Sequence, residues 1–123
     1  MLRIDPRSPV PINEQIKGGL RGLIARGALK PGDPAPSIRG LAETLKVNPN
    51  TVARAVRELV LEGVLDARRG EGTVVADSAP RMAHSGLDEV RGRLRESLRQ
   101  ARRGGLSWSD VEAAVRETRK EEP

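Results

Sequence analysis

The residues of this chain that could do chemistry are hydrogen-bonding and cationic, and they fall in three places. The first is Asn48, Asn50, Thr51 and Arg54, packed into seven positions. Asn can read adenine through one donor and one acceptor, and Arg can grip the two acceptors of guanine. Thr51 can donate to a phosphate or touch a thymine methyl. The second is Ser37 with Arg39, just after Pro36. A helix start offers free N–H groups to anions, and an arginine beside it can grip a backbone or reach a base. The third is Arg68, Arg69, Gly70, Gly72 and Thr73. Basic residues beside glycines suit a loop that lies over phosphates or the minor groove, although Glu71 at its tip opposes close phosphate approach. Each also has a plain structural use: Asn48 as a helix cap, the arginines as solvated surface charge. Residue type alone leaves both open.

Composition removes most other chemistry. The 123 residues hold 22 Lys+Arg against 17 Asp+Glu, a net charge of +5, and no cysteine. Disulfides, Cys/His zinc sites and a cysteine nucleophile are therefore excluded. Trp108 is the sole aromatic residue, too few to stack single-stranded bases. His84 is the sole histidine and has no fixed carboxylate partner nearby in sequence. No poised catalytic constellation is visible, so neither an enzyme nor a metal or other cofactor is expected. No apolar run of membrane length and no signal-like start occurs, which points to a cytoplasmic protein without membrane contact. The positive balance favours a polyanionic partner. It sits mainly in residues 1–76, with 12 basic and 8 acidic residues, against 10 and 9 from Asp77 onward.

These groups need elements to hold them. Ile12, Ile16, Leu20, Leu23 and Ile24 make a stripe of helical period behind Pro11, closed by Gly27. Ser37 can cap a second helix carrying Ile38, Leu41, Ala42 and Leu45. Asn48 as cap with Pro49 after it starts a third, with Val52, Val56, Leu59 and Val60 on its apolar face and Gly63 at its end. Asn48, Asn50, Thr51 and Arg54 lie off that face. Two short β-prone runs follow, Val64-Leu65 and Thr73-Val74-Val75, with a glycine-bearing turn over 68–72. Helix, helix, tight turn, helix, hairpin is the pattern of a winged helix-turn-helix domain over residues 1–76. The fold class expected is mainly α with one small β-hairpin.

Asp77-Ser78-Ala79-Pro80 reads as a junction, with 77–84 as a linker to a helical tail spanning 77–123. Leu87, Val90, Leu94, Leu98 and Ala101 form an apolar seam, Gly104-Gly105 breaks it, and Ser107 with Asp110 makes a near capping box. Leu106 and Val111 can form a hydrophobic staple, and Val115 continues the stripe. Two such helices bury little alone, so Leu87, Val90, Leu94, Leu98, Leu106, Val111 and Val115 are expected to form a homodimer interface. A 47-residue tail is too short to enclose a typical ligand pocket by itself, so a small-molecule effector has room only at a dimer interface and none is expected.

Several stretches together resemble the GntR family of bacterial transcription regulators. Pro9-Val10-Pro11-Ile12-Asn13-Glu14-Gln15-Ile16 and Leu29-Lys30-Pro31-Gly32-Asp33 resemble its first helix and following loop. Pro36-Ser37-Ile38-Arg39-Gly40-Leu41-Ala42 resembles its second helix. Val47-Asn48-Pro49-Asn50-Thr51-Val52-Ala53-Arg54-Ala55 is similar to its recognition helix in the YtrA-like form, and Arg68-Arg69-Gly70-Glu71-Gly72-Thr73-Val74-Val75 to its wing. The chain departs from the family pattern at Asn13, usually aromatic, at Ala35, usually leucine, at Gly40, usually glutamate, and at Glu71, usually basic. The resemblance implies a repressor that binds a double-stranded operator with inverted GT and AC half-sites. It implies contacts from Arg39, Asn50, Thr51, Arg54 and the wing, and dimerisation through the tail. A nonspecific architectural DNA binder and a protein-interaction module are the competing classes. A DNA selection experiment separates them.

Overall fold

The computed structural model describes residues 2–122. Its elements run α1 (Ile12–Ala25), α2 (Ile38–Leu45), α3 (Pro49–Leu61), β1 (Leu65–Arg68), β2 (Gly72–Val75), α4 (Ala79–Arg103) and α5 (Trp108–Glu121). Local signals place most helix starts. The Ser37 hydroxyl accepts the Gly40 N–H at 2.9 Å, and the Asn48 side-chain carbonyl accepts the Asn50 N–H at 2.8 Å. Pro49 occupies the first turn of α3, where its missing donor is not needed. Pro11 stands as the cap of α1, with no side-chain bond.

The helix-turn-helix corner contains a departure from easy geometry. Lys46, which caps the end of α2, is left-handed with φ of 57°. It is the sole non-glycine residue with positive φ among the described residues. Its N–H bonds back to the Ala42 carbonyl, the usual way of closing a helix with a left-handed residue.

The hairpin pairs Leu65 with Val75 and Arg68 with Gly72, leaving Arg69, Gly70 and Glu71 as the turn. Gly70 and Gly72 both have positive φ, at 82° and 75°, which the turn requires. The turn is therefore shorter than the 68–72 expected from sequence: Arg68 ends β1 and Gly72 begins β2. The outer edge of β2 is not left open. The loop after α1 docks on it, with Gly32 donating to Val75, Val75 to Asp33 and Ala35 to Thr73, each at 2.9 Å.

The core lies where α1, α2, α3 and the hairpin converge. Ile16, Leu20, Val52, Leu59, Leu65 and Val75 are its largest fully buried side chains. Ile38, expected on the inner face of α2, is instead 38% exposed and lines an open groove beside α3 and the hairpin. The arrangement of three helices and a two-stranded ribbon is a winged helix, and the molecule is mainly α.

The segment 77–84 does not form a linker. Helix α4 begins at Ala79, with Pro80 tolerated in its first turn. Ala79 and Ala83, four residues apart on one face, are buried in the same core cluster as Leu20 and Leu59. The chain divides into two compact units after Ser85, within α4. The second unit holds the rest of α4 and α5. Gly105, with φ of 109°, follows the end of α4. The Ser107–Asp110 capping box opens α5, with both of its hydrogen bonds formed. No helix among the described residues is long and apolar enough to cross a membrane.

Candidate nucleic-acid interface

The side chains singled out in the sequence divide into those engaged within the protein and those free to meet a ligand. Asn50 and Arg39 are exposed, and neither has a side-chain partner among the described residues. Thr51 is half-buried at the first turn of α3. Ser37 and Asn48 have each given an oxygen to a helix cap, which leaves Asn48 its amide N–H groups to donate. Asn50 and Arg54, four residues apart, share a face of α3.

Arg54 is exposed but held. Its Nε donates to Glu58 Oε1 at 3.1 Å, one turn further along α3. The other oxygen of Glu58 faces α1, 3.1 Å from Lys17 Nζ and 3.3 Å from Asn13 Nδ2. Lys17 is only 5% exposed and also meets Glu62 Oε1 at 2.7 Å and Glu14 at 3.5 Å. Arg21 pairs with the remaining Glu62 oxygen. The hydrogen bond that Lys17 donates to Glu62 raises the Lys17 pKa despite its burial. Lys17 and Arg54 together lower that of Glu58. For Glu62, burial pushes the carboxyl up, but the bonds from Lys17 and Arg21 outweigh it and the net shift is downward.

Sequence reasoning missed this network. Its signal was present as Lys17 and Arg21 spaced by four on α1, opposite Glu58 on α3 and Glu62, four residues on, at that helix's C-terminal cap. Asn13, at a position usually aromatic in the family it resembles, has become one of the polar groups in it.

On the hairpin, Arg68 lies 3.6 Å from Asp66 and 3.9 Å from Glu71, so part of its charge is answered at home. Arg69 is exposed and has no ion-pair partner among the described residues. Gly70 and Gly72 are exposed at the tip. Thr73 is half-buried and lines, with Ile38, Val56, Leu61 and Arg54, a groove of about 630 Å³ between the hairpin and the helices. The structure thus brings Arg54 and Thr73 to one groove.

In the second unit, Leu94, Leu98, Leu106, Val111 and Val115 line one apolar groove of about 560 Å³. Leu87 and Val90 are not among its walls and stand 40% and 49% exposed on α4. Trp108 is covered on one face by Arg102, whose guanidinium carbon lies 4.8 Å from the ring centre. No group of acidic or histidine side chains among the described residues could hold a metal ion.

The profile of the bacterial regulatory proteins of the gntR family matches residues 12–75. The chain is 36% identical over 118 residues to the HTH-type transcriptional repressor YtrA of Bacillus subtilis, covering 95% of this chain and 91% of that one. Among solved structures it is similar to YtrA from Sulfolobus acidocaldarius, a GntR-family transcription factor. That match has 38% identity and a TM-score of 0.59, over 79% of this chain and 96% of that one. The DNA-binding domain of AraR in complex with operator ORE1 matches at 26% identity and a TM-score of 0.52, covering 62% of this chain and 93% of that one.

Proposed function

The chain belongs to the GntR family of bacterial regulatory proteins, as a DNA-binding transcriptional regulator and not an enzyme, and from that premise we propose that it is a cytoplasmic repressor that binds an inverted-repeat operator as a homodimer. In this reading residues 1–76 carry DNA recognition and 77–123 carry pairing. Asn48, Asn50, Thr51 and Arg54 face the major groove, Ser37 and Arg39 hold the backbone beside them, and Arg68, Arg69, Gly70, Gly72 and Thr73 form the wing.

The observation that carries it is the polar face of α3. Asn50 and Arg54 stand exposed at its N-terminal end while Val52, Val56 and Leu59 anchor the opposite face in the core. That is how a recognition helix is presented to the major groove. Support for pairing comes from the second unit, where α4 and α5 leave their apolar sides uncovered: Leu94 is 59% and Val115 51% exposed. Two copies can close these faces as a four-helix arrangement about a two-fold axis. The matching relatives named as repressors and the operator complex of AraR support the choice of DNA as partner.

Selecting bound duplexes from a random DNA pool with the full-length chain tests the proposal. An enriched inverted repeat is expected. Retention of the whole pool without enrichment would make the protein a nonspecific binder, and no retention at all would remove DNA as its partner.

A further inference from the structure

We infer that Glu58 is a positioning residue for Arg54: α1 holds one oxygen of its carboxylate, and the other fixes the Arg54 guanidinium so that both terminal NH2 groups project freely for reading. The inference rests on the base-reading role proposed for Arg54 above and names what gives that role its geometry.

One carboxylate is divided between two helices' side chains. Glu58 Oε2 is taken by Lys17 Nζ at 3.1 Å and Asn13 Nδ2 at 3.3 Å, both on α1. Oε1 is left to accept Arg54 Nε–H at 3.1 Å. An arginine has five N–H donors, one on Nε and four on the two terminal nitrogens. With Nε engaged sideways, the terminal pair remains, and it forms the fork that matches guanine O6 and N7. A free arginine on a helix surface must give up rotamer freedom when it binds, and a guanidinium held in advance gives up less.

The anchor is itself fixed. Lys17 is almost wholly buried and is held by Glu62 as well as by Glu58. Glu58 is 29% exposed in its side chain, against 65% for Arg54, so the pair leads outward from the α1–α3 contact to the surface. The arrangement also answers the charge of Glu58. A bare carboxylate beside a DNA-binding face repels phosphate, whereas this one stands between Lys17 and Arg54. A solvent-side pair between Arg54 and Glu58 four apart on one helix would be common and weak. The tie from the same carboxylate to a buried cation on a second helix sets this one apart.

The test is a double-mutant cycle on the full-length protein, with a duplex enriched from the random pool and its single base-pair variants as probes. Arg54→Ala, Glu58→Ala and the double variant are compared base pair by base pair. Glu58→Ala is expected to reduce preference at the base pair read by Arg54 by about fivefold or more, part of what a bidentate contact supplies. The double variant should lose no more than Arg54→Ala alone. Glu58→Gln, which keeps an oxygen for the Arg54 Nε–H, should restore much of the preference. Removal of Glu58 leaves Lys17 paired with Glu62, so these variants should remain folded, and the Arg54 Nε–H resonance of the free protein should shift in Glu58→Ala. A selective loss in Arg54→Ala beside an indifferent Glu58→Ala, or losses that add in the double variant, would overturn the positioning role alone. An Arg54→Ala variant with unchanged base preference, or a pool without enrichment, would overturn the base-reading role and this one with it.

Discussion

Arg39 and Arg69 carry no ion-pair partner among the described residues, whereas Arg54 and Arg68 are each held by carboxylates. That difference decides how each acts on DNA. Arg54, held from one side only, can still present a fork. Arg54→Ala should remove about 1–3 kcal/mol of discrimination at one operator position. Equal weakening across all sequences would reduce it to a phosphate contact. On the wing, Arg69 is the better placed cation. Arg69→Ala should lower the slope of log affinity against log salt by about 0.9 for a lost phosphate contact. Arg68→Ala should lower it less, because Asp66 and Glu71 already answer part of its charge. Glu71→Arg should strengthen binding most at low salt. A wing that stays off the backbone would leave all three slopes alike.

Between elements, the contact of α1 with α3 combines an apolar layer with an ionic edge. Leu20 and Leu59 belong to the layer, and Lys17, Glu58 and Glu62 form the edge. Its pH response follows from the shifts. Glu58 and Glu62 are lowered from 4.5, so their contribution is present above that value and is lost as pH falls through their lower folded values. Lys17 is raised from 10.5, so its contribution is complete below that value and is lost as pH rises through its folded pKa. The edge is therefore intact between about pH 4.5 and 10.5. Lys17→Met should lower the melting temperature near neutrality, and the gap to the parent should close on both limbs. A gap that stays constant through the acid limb would show that Lys17 packs there without pairing. Elsewhere, the capping box of α5 spans only Ser107 to Asp110, and the bonds from Ser107 hold the Asp110 pKa low. Ser107→Ala should cost about 0.5–2 kcal/mol of helix stability.

For the whole molecule, operator affinity depends on pairing. With Leu94 59% exposed in the single chain, Leu94→Asp should leave the protomer folded and place a charge in the proposed seam. Sedimentation at micromolar concentration should then show a monomer, and binding to a two-site operator should weaken because the second half-site no longer gains from raised local concentration. The winged unit can be tested alone only if it keeps its core. A chain ended at Ala76 lacks the buried Ala79 and Ala83, so the cut belongs after Ser85. The shortened chain should melt cooperatively and sediment as a monomer. A shortened chain that remains dimeric, or a monomeric parent, would place pairing outside the tail.

What the sequence determined by itself was local. Ser37, Asn48-Pro49 and Ser107-Asp110 announced helix starts because their bonds span only two or three residues. The 3.6-residue stripes of α1 and α3 announced buried faces because period alone selects a face. The polar face of α3, with Asn50 and Arg54, was legible for the same reason, and so was the hairpin. What only the tertiary structure decided joins residues far apart in the chain. Lys17 meets Glu62, and Asn13 meets Glu58, across 45 positions, and neither contact has a local signature. The junction at 77–84 looked like a loop from Asp77, Ser78 and Pro80. From Ala79 onward it folded as helix, because Ala79 and Ala83 gain burial in the core cluster of the winged unit. A proline in the first turn costs a helix nothing, and apolar contact offered by distant residues then outweighs the turn propensity of the local sequence.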